Sequence, residues 1–348
     1  MGKYILKRLA LAVVTLVIIL SLTFILIKLL PFEQPVGGKD VKLAYYSQQV
    51  YLGYVVSFDH EVSGYGDCLF HYSSSSAGSK IDLYYYQTPI WQQYFSWVKN
   101  IFTEWNWGTS VKVEINRSAI AIIGERLPVS MSLNIISVIA SVPLGIVLGI
   151  IAALNKNKPI DHIISTFVMV FISIPSFILI VFSIWLFAYQ LNWLPAAWAK
   201  PTDATPIKVA SYVIPVFALS FGSVCGYCRF VRAELCEVME SEYLLLARTK
   251  GLTKRQAIIR HALRNAMVPI VPAILAEFIG ILGGSTILER LYGIPGIGGL
   301  FYDALNAKDY NVLFVDMALF TTISLVSGVF LDLSYGLIDP RIRMGAKK

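Results

Sequence analysis

The chain has 348 residues, of which 56% are hydrophobic and 15% are charged, and its formal net charge is +7. Several apolar runs of about 20 residues exceed what a soluble core needs and indicate a membrane protein with several spanning helices. In such a protein the sidedness of the charges matters more than their sum, so the positive net charge does not indicate a nucleic-acid partner.

The N-terminal 30 residues predict a first transmembrane helix. Residues 1–8 are basic, and the run 9–27 that follows contains no charge. This run is too long for the apolar region of a signal peptide, and no small-x-small cleavage site follows it before Pro31. We therefore expect residues 1–30 to remain attached as a membrane span.

Residues 31–125 form a long polar insertion that we expect on the extracytoplasmic side. It contains ten of the chain's 19 tyrosines and four tryptophans between positions 91 and 107. These aromatic residues are compatible with a belt at the membrane interface or with the core of a small external domain. Four serines at positions 73–76, followed by Gly78, predict a flexible tip.

Five further apolar segments predict transmembrane helices in the rest of the chain. They lie at about 129–154, 163–189, 209–227, 266–288 and 312–335. Gly145 and Gly149 allow neighbouring helices to approach closely, and Ser173-Ile174-Pro175-Ser176 predicts a kink. The predicted fold class is an all-α polytopic membrane protein with six helices, whose core is residues 126–340 with a cytoplasmic loop at 240–265.

The distribution of Lys and Arg predicts that both termini are cytoplasmic. With that orientation the cytoplasmic segments are 1–8, 155–162, 225–265 and 340–348. They contain 17 Lys and Arg residues in about 66 positions, against 11 in about 137 positions on the other side. A positive excess of this kind marks the cytoplasmic side of a membrane protein.

The segment from Ser241 to Pro269 is the longest strongly basic run and lies between two predicted spans. Its first part consists mainly of good helix formers, and Gly251 is suited to end a helix in the left-handed conformation. Thr253-Lys254-Arg255-Gln256 has the pattern of a capping box, which begins a second helix. We expect two short helices that present a basic surface to a cytoplasmic partner, although an ordinary amphipathic surface loop has similar features.

The periodicity of the second helix separates an apolar side from a basic side. Spacings of four residues place Ile258 with Ala262 and Ile259 with Leu263 on the apolar side. The same spacing places arginines 260 and 264 on the basic side.

The same segment also contains several short sequence motifs in a defined order. They are Glu242-Tyr243, Ala247-Arg248-x-Lys250-Gly251-Leu252, Arg260-His261-Ala262-x-Arg264-Asn265-Ala266 and Pro269. This order closely resembles the EAA loop of ABC importer permeases, and more narrowly the B-type subunit of the oligopeptide/dipeptide permease family.

Other motifs extend the resemblance over residues 1–30 and about 100–348. They include Trp107-Gly108-Thr109-Ser110, Glu125-Arg126-Leu127-Pro128, Ser173-Ile174-Pro175-Ser176-Phe177, Gly283-Gly284 through Glu289, Pro295-Gly296-Ile297-Gly298 and Asp339-Pro340-Arg341. Trp107 replaces the acidic residue that usually precedes the glycine in this family. The insertion at about 35–98 departs from the expected pattern.

The resemblance implies a type I ABC importer (MetI-like) permease fold in a bacterial cell membrane. The EAA loop of such permeases seats a coupling helix in a groove of a separate ATP-binding subunit. The coupling positions carried over to this chain are Glu242, Tyr243, Ala247, Arg248, Lys250 and Gly251. The implied partners are a second homologous permease, two ABC ATPase subunits, an extracytoplasmic substrate-binding protein and membrane lipid. ATP and magnesium would then be bound by the ATPase subunits, with no cofactor in this chain.

Two acidic residues are candidates for the translocation path. Glu277 lies inside the fifth predicted span, where a carboxylate is costly and normally faces a cavity or a partner; a satisfied structural acid is the alternative. We expect Glu289 and Arg290 to form an outer loop together with the glycine-rich stretch 293–299. The resemblance places this loop near the outer mouth of the path.

Catalytic and metal-binding patterns are missing from the sequence. It contains no Walker A, HExxH or GxSxG pattern, and its four histidines are scattered. Cys225-x-x-Cys228 lacks the second pair that a zinc site needs, so we interpret it as buried thiols. We therefore expect that the chain is not an enzyme, and the resemblance implies a permease subunit for peptides. The alternatives are a permease for another small solute, such as a nickel chelate or glutathione, a membrane receptor acting through the Tyr-rich insertion, and an intramembrane enzyme.

Overall fold

The computed structural model describes residues 2–30, 35, 37–76, 79–280 and 284–338. Within these residues, four helices are long and apolar enough to cross a membrane. They are α1 (Gly2–Leu29), α4 (Ala119–Leu154), α7 (Thr205–Met239) and α14 (Tyr310–Ile338). Two bent helix pairs raise the number of spans to six if each pair is counted once. The prediction of an all-α polytopic protein is confirmed.

The remaining elements are shorter. In the first third of the chain they are α2 (Lys39–Tyr51), β1 (Val55–Phe58), β2 (Phe70–Ser76), β3 (Ser79–Gln87) and α3 (Ile90–Glu104). Further along the chain lie α5 (Pro159–Ile172), α6 (Ser176–Ser183) with its π-helical continuation Ile184–Gln190, α8 (Glu242–Thr249), α9 (Lys254–Ala257), the π-turn Ile258–Ala262 and α10 (Leu263–Ala266). The last short helices are α11 (Ile270–Gly280), α12 (Thr286–Tyr292) and α13 (Ile297–Ala307).

The predicted kink in the third span is a complete break. Helices α5 and α6 meet at an angle of 97°. α5 ends at Ile172, and Pro175 is the N-cap residue of α6. Proline provides no backbone N–H for a continuing helix and restricts the residue before it, so the two helices separate here.

Two other predicted spans have wrong boundaries. The fourth span was expected to end near residue 227, but α7 continues to Met239. Its charged continuation remains helical because buried side chains such as Val231 and Leu235 pack on one side. The fifth span was expected as one helix over 266–288, but its residues are divided between α11 and α12. Gly284, at φ +65°, has a backbone conformation that a regular helix does not allow.

The chain forms two compact units. One contains the described residues of 1–9, 127–299 and 323–348, and the other those of 10–126 and 300–322. The predicted domains, residues 1–30, 31–125 and 126–340, are each continuous in sequence. Each of the two observed units instead combines segments that are distant in sequence. Each unit is described here on its own.

The unit with residues 10–126 contains a small sheet around an aromatic core. Its three antiparallel strands have the order β1-β3-β2. Tyr46 is fully buried and stacks on Phe70 with ring centroids 5.0 Å apart. The expected flexible tip at residues 73–76 is wrong, because these serines form the end of β2 and pair with β3.

Asp309 anchors the segment before α4 within the same unit. One of its carboxylate oxygens accepts hydrogen bonds from the Ser110 hydroxyl (2.6 Å) and from the backbone N–H groups of Val111, Lys112 and Val113 (2.9, 2.9 and 3.0 Å). The side chain of Asp309 is buried. Bonds to an ionised acceptor are the stronger kind of hydrogen bond, so this carboxylate orders the turn at residues 110–113.

The other unit packs around α7. A Cβ atom at Gly145 would lie 2.6 Å from the Cβ atom of Tyr227, and one at Gly149 would lie 2.7 Å from the carbonyl oxygen of Cys228. Both distances are too short for any side chain. The prediction that these glycines allow close helix packing is therefore confirmed, and the neighbouring helix is α7.

Candidate functional site

Helix α8 ends in the turn predicted at Gly251. This residue has φ +94°, and its N–H donates to the carbonyl oxygen of Arg248 (3.0 Å), while the N–H of Leu252 donates to that of Ala247 (3.4 Å). These bonds satisfy carbonyl groups that the helix end would otherwise leave open. Glycine adopts such a backbone conformation without the strain that a Cβ atom introduces.

The second helix begins with the predicted capping box. The Thr253 hydroxyl accepts a bond from the Gln256 N–H (3.3 Å), and the Gln256 side-chain oxygen accepts one from the Thr253 N–H (3.1 Å). The helix then contains a π-turn at Ile258–Ala262. The expected apolar pair of Ile259 with Leu263 is wrong, since Ile259 is 56% exposed. A π-turn contains more residues per turn than the α-helix assumed in that prediction.

Both short helices rest on one hydrophobic cluster at the ends of α4 and α7. The buried members are Leu244, Ala257, Ile258, Ala262 and Ala266 from the segment, Ala153 from α4, and Leu235 and Cys236 from α7. Side chains in such a cluster interdigitate at crystal-like density and transmit displacement. The segment is therefore attached to the two long helices as a packed body and is not a loose loop.

The opposite side of the segment is exposed. Of the residues assigned to coupling by resemblance, Glu242, Tyr243, Arg248, Lys250 and Gly251 are exposed, and Ala247 is half-buried. Tyr243, Leu245 and Leu246 are 41%, 62% and 56% exposed. Apolar side chains that cluster in water beside cations are typical of a surface that binds another protein.

A cavity of about 190 Å³ opens where α7, α8 and α9 meet. It is lined by Met239, Glu240, Ser241, Leu244, Leu245, Arg248, Lys254 and Ile258. Its lining thus combines apolar side chains with the cations of Arg248 and Lys254 and with the carboxylate of Glu240, which is paired with Lys156. This combination suits a side chain that carries both an apolar body and a negative charge.

Two ion pairs beside the segment were not predicted. Arg232 of α7 binds Asp161 of α5, and Lys156 in the turn before α5 binds Glu240 at the end of α7. The carboxylate of Glu240 raises the pKa of the Lys156 amine above its usual value. For the pair of Asp161 with Arg232, the only signal in the sequence is an acidic residue at the edge of an apolar run, followed by arginines some 70 positions later.

Glu277 lies in α11 and is half-buried. Its carboxylate interacts electrostatically with the side chain of Tyr227 from α7. A carboxylate within an apolar helix is expected to have such a partner. This interaction relates α11 to α7 near the position where Gly145 of α4 also approaches Tyr227.

Glu289 is buried and lies in α12, not in the outer loop where it was expected. Its carboxylate accepts hydrogen bonds from the Ser130 hydroxyl (2.7 Å) and from the N–H groups of Ser285 (3.3 Å) and Gly299 (2.8 Å). The Ser130 hydroxyl in turn accepts a bond from the N–H of Ile297 (2.9 Å). Glu289 therefore holds the glycine-rich stretch against α4.

Metal-binding chemistry has little support in the described part of the chain. No group of three or more His, Cys, Asp or Glu side chains there has an arrangement that fits a metal ion. Cys225 and Cys228 are free, buried thiols. The features that remain are the exposed side of the segment 241–269, its packed base and the ion pairs around it.

The chain is similar to known proteins over most of its length. Residues 145–344 match the family described as binding-protein-dependent transport system inner membrane component. The dipeptide transport system permease protein DppB of Lactococcus lactis subsp. cremoris is 32% identical over 99% of this chain and 100% of its own length. The oligopeptide transport system permease protein OppB of Haemophilus influenzae is 33% identical over 75% of this chain and 83% of its own.

The match to DppB extends over nearly the whole of both chains, whereas the match to OppB covers 75% of this chain. The expectation that residues 35–98 depart from the family pattern stays a prediction. Among solved structures, one chain of an amino acid ABC transporter crystal structure has a TM-score of 0.48 at 19% identity. That similarity covers 62% of this chain and 94% of that one.

Proposed function

The chain belongs to the family of binding-protein-dependent transport system inner membrane components, and from this premise we propose that it forms one half of the translocation path of an ATP-driven importer for dipeptides or oligopeptides. Like its relatives, the chain is a permease subunit and not an enzyme. The peptide substrate rests on the names of those relatives. The full-length similarity to a dipeptide permease includes the external insertion, which favours this substrate class over nickel chelates or glutathione.

The observation that carries the coupling assignment is the two-sided construction of the segment at residues 241–269. Leu244 and Ile258 anchor it to α4 and α7, while Tyr243, Leu245 and Arg248 remain exposed. A surface that docks a partner on one side and packs on long helices on the other transmits motion between them. We assign the docking positions to Glu242, Tyr243, Ala247, Arg248, Lys250 and Gly251.

The partner at this surface is a separate ATPase subunit, which binds the ATP and magnesium. The cations of Arg248 and Lys254 beside the apolar cavity favour an acidic and apolar docking element on that subunit. The complete importer also requires a second homologous permease, a second ATPase and an extracytoplasmic binding protein. Membership of this family supports a bacterial inner-membrane location, and the distribution of Lys and Arg supports cytoplasmic termini. The C-terminal basic residues, including Arg341, lie outside the described residues.

Glu277 and Glu289 have different assignments in this proposal. Glu277 is half-buried in an apolar helix, and we assign it to the translocation path or to the contact with the second permease. Glu289 is only 2% exposed and is bound by three donors. We therefore propose that Glu289 supports the outer stretch 293–299 and does not contact substrate.

The test is uptake by a strain that lacks this gene. Complementation with the wild-type chain is expected to restore uptake of labelled dipeptides and oligopeptides, with competition by unlabelled peptides and none by nickel chelates or glutathione. The purified chain alone is expected to hydrolyse no ATP. If the chain restored uptake of nickel chelates or glutathione but not of peptides, the proposed substrate class would be wrong. Robust ATP hydrolysis by the chain alone would refute the assignment of ATP hydrolysis to separate subunits.

A further inference from the structure

Helix α3 of the external insertion has an exposed apolar face. Trp91, Phe95 and Phe102 are 62%, 66% and 84% exposed, and Val98 lies between them in sequence. Spacings of four, three and four residues place these four side chains on one side of a helix. Large apolar side chains that share one exposed side mark an interaction surface.

The inner face of α3 contains polar side chains beside the buried Trp97. Gln93 is only 1% exposed and donates to the carbonyl oxygen of Thr88 (2.7 Å). Asn100, on the same side, donates to the carbonyl oxygen of Leu52 (3.0 Å). On a water-soluble domain, large apolar side chains face inward. Here Trp91, Phe95 and Phe102 face outward, with Lys99 exposed at the margin of their face, which indicates that these rings do not contact water.

The same helix is attached to the side of α1. The hydroxyl groups of Tyr94 and Ser21 lie 2.8 Å apart. The rings of Trp97 and Phe24 stack with their centroids 4.9 Å apart. Both contacts lie within the apolar run of α1 and not beyond its end.

The depth of this attachment follows from helix geometry. The charge-free run 9–27 is about 28 Å long at 1.5 Å per residue, which matches the thickness of the hydrocarbon core. Lys28 follows this run, and its amine lies 4.1 Å from the ring centroid of Tyr54. Ser21 precedes Lys28 by seven residues, so it lies about 10 Å below the boundary that Lys28 marks. Side chains of α3 that reach Ser21 and Phe24 are therefore at the depth of the acyl chains.

We propose that α3 lies in the outer leaflet, with Trp91, Phe95, Val98 and Phe102 in contact with lipid acyl chains. The exposed apolar side chains of α1 at the same level, Leu22 and Leu26 (56% and 64% exposed), continue this surface. Trp105, at the C-terminal end of α3, is 66% exposed and has the ring type enriched at the lipid boundary. The expected external insertion is thus partly embedded, and lipid rather than a second protein is its partner at this face.

Spin-label accessibility in the assembled transporter tests the embedding. Nitroxide labels are placed at Phe95→Cys and Phe102→Cys after Cys68→Ser removes the exposed thiol of this chain, with partner subunits free of reactive cysteines. Matched controls are Val17→Cys on the exposed face of α1 and Asp59→Cys, whose native side chain is 88% exposed in the external segment. Collision with oxygen, which partitions into lipid, is compared with collision with a water-soluble nickel chelate.

The labels at 95 and 102 are expected to behave like the Val17 control, with oxygen collisions exceeding those of the nickel chelate. If the labels at positions 95 and 102 collided with the nickel chelate as often as the label at position 59, this face of α3 would lie in water and the proposal would be overturned. Protection from both reagents in the complete transporter would also overturn it, in favour of coverage by the second permease. Because all labelled side chains are exposed, the variants are expected to fold, and binding-protein-stimulated uptake confirms this.

Discussion

Arg232 and Asp161 form a paired ion contact in which Nε and Nη2 of the arginine donate to the two carboxylate oxygens at 2.5 and 2.7 Å. The Asp161 side chain is 1% exposed and also accepts bonds from the Asn157 N–H and the Ser165 hydroxyl. The contact joins the first turn of α5 to α7, ten residues before α8 begins. It therefore connects the broken third span to the helix that carries the proposed coupling segment.

Removal of the arginine is expected to destabilise this junction. Arg232→Ala leaves a buried carboxylate without its charge partner, which costs about 3 kcal/mol. We expect a lower midpoint of thermal unfolding in detergent and reduced peptide uptake. Lys156→Ala is the matched control, because the ion pair of Lys156 with Glu240 is largely exposed and exposed pairs contribute little to stability. Equal destabilisation by both substitutions would contradict the importance of the buried pair.

The turn at Gly251 is expected to tolerate few residues. Its φ of +94° strains any residue with a Cβ atom, although no atom lies within 4 Å of the position that a Cβ would occupy. We expect Gly251→Ala to cost about 1 kcal/mol locally and to reduce uptake, and Gly251→Pro to abolish it. Gly251→Asn should retain more activity than alanine, since asparagine visits the left-handed region more readily. Normal uptake by the proline variant in intact membranes would exclude the proposed role of the turn.

The contacts of Asp309 are expected to stabilise the unit that contains residues 10–126 and 300–322. Asp309→Ala removes the acceptor of the Ser110 hydroxyl and of the N–H groups at residues 111–113. Leaving buried donors unsatisfied costs about 2–3 kcal/mol. The expected result is faster proteolysis between residues 35 and 118 in spheroplasts, whereas Asp59→Ala, at an exposed position, leaves it unchanged. An unchanged digestion rate for both variants would contradict the anchoring role.

A pH dependence follows from Glu114. Hydrogen bonds from Arg117 (2.5 Å) and Arg126 (3.1 Å) lower the pKa of this carboxyl group below its usual value of 4.5. A depressed pKa adds stability at pH values above the unfolded pKa, and this stability disappears as the pH falls through the folded value. Glu114→Gln should therefore be less stable than wild type by about 0.5–1 kcal/mol at pH 7. The difference should shrink below pH 4.5; a difference that grew on acidification would contradict the assignment.

Local signals in the sequence were sufficient for the coupling segment. The glycine turn and the capping box depend on contacts between residues at most five positions apart, so short patterns predict them. The length of α7 and the buried pair of Arg232 with Asp161 depend on contacts between distant segments. For the same reason the serines at 73–76 were misinterpreted: composition favours a turn, but pairing with β3 makes them a strand.

The position of α3 could be predicted only in part. The aromatic residues were recognised as either an interfacial belt or a domain core, and both alternatives occur in one helix. Trp97 is buried against Phe24, whereas Trp91 is exposed. Deciding which ring lies on which side requires the attachment of α3 to α1, and that attachment has no signature in a single sequence.

The most direct test of the account measures peptide uptake and ATP hydrolysis together. This chain is reconstituted in proteoliposomes with its second permease, ATPase subunits and binding protein, in wild-type form and as Arg248→Glu, with Lys39→Glu as a control at an exposed external cation. The account predicts that Arg248→Glu loses both uptake and the hydrolysis stimulated by binding protein, because the negative charge opposes an acidic docking element. Lys39→Glu should retain both activities. If the Arg248→Glu variant reached the wild-type levels of peptide uptake and of stimulated ATP hydrolysis, the assignment of residues 241–269 as the coupling surface would be contradicted.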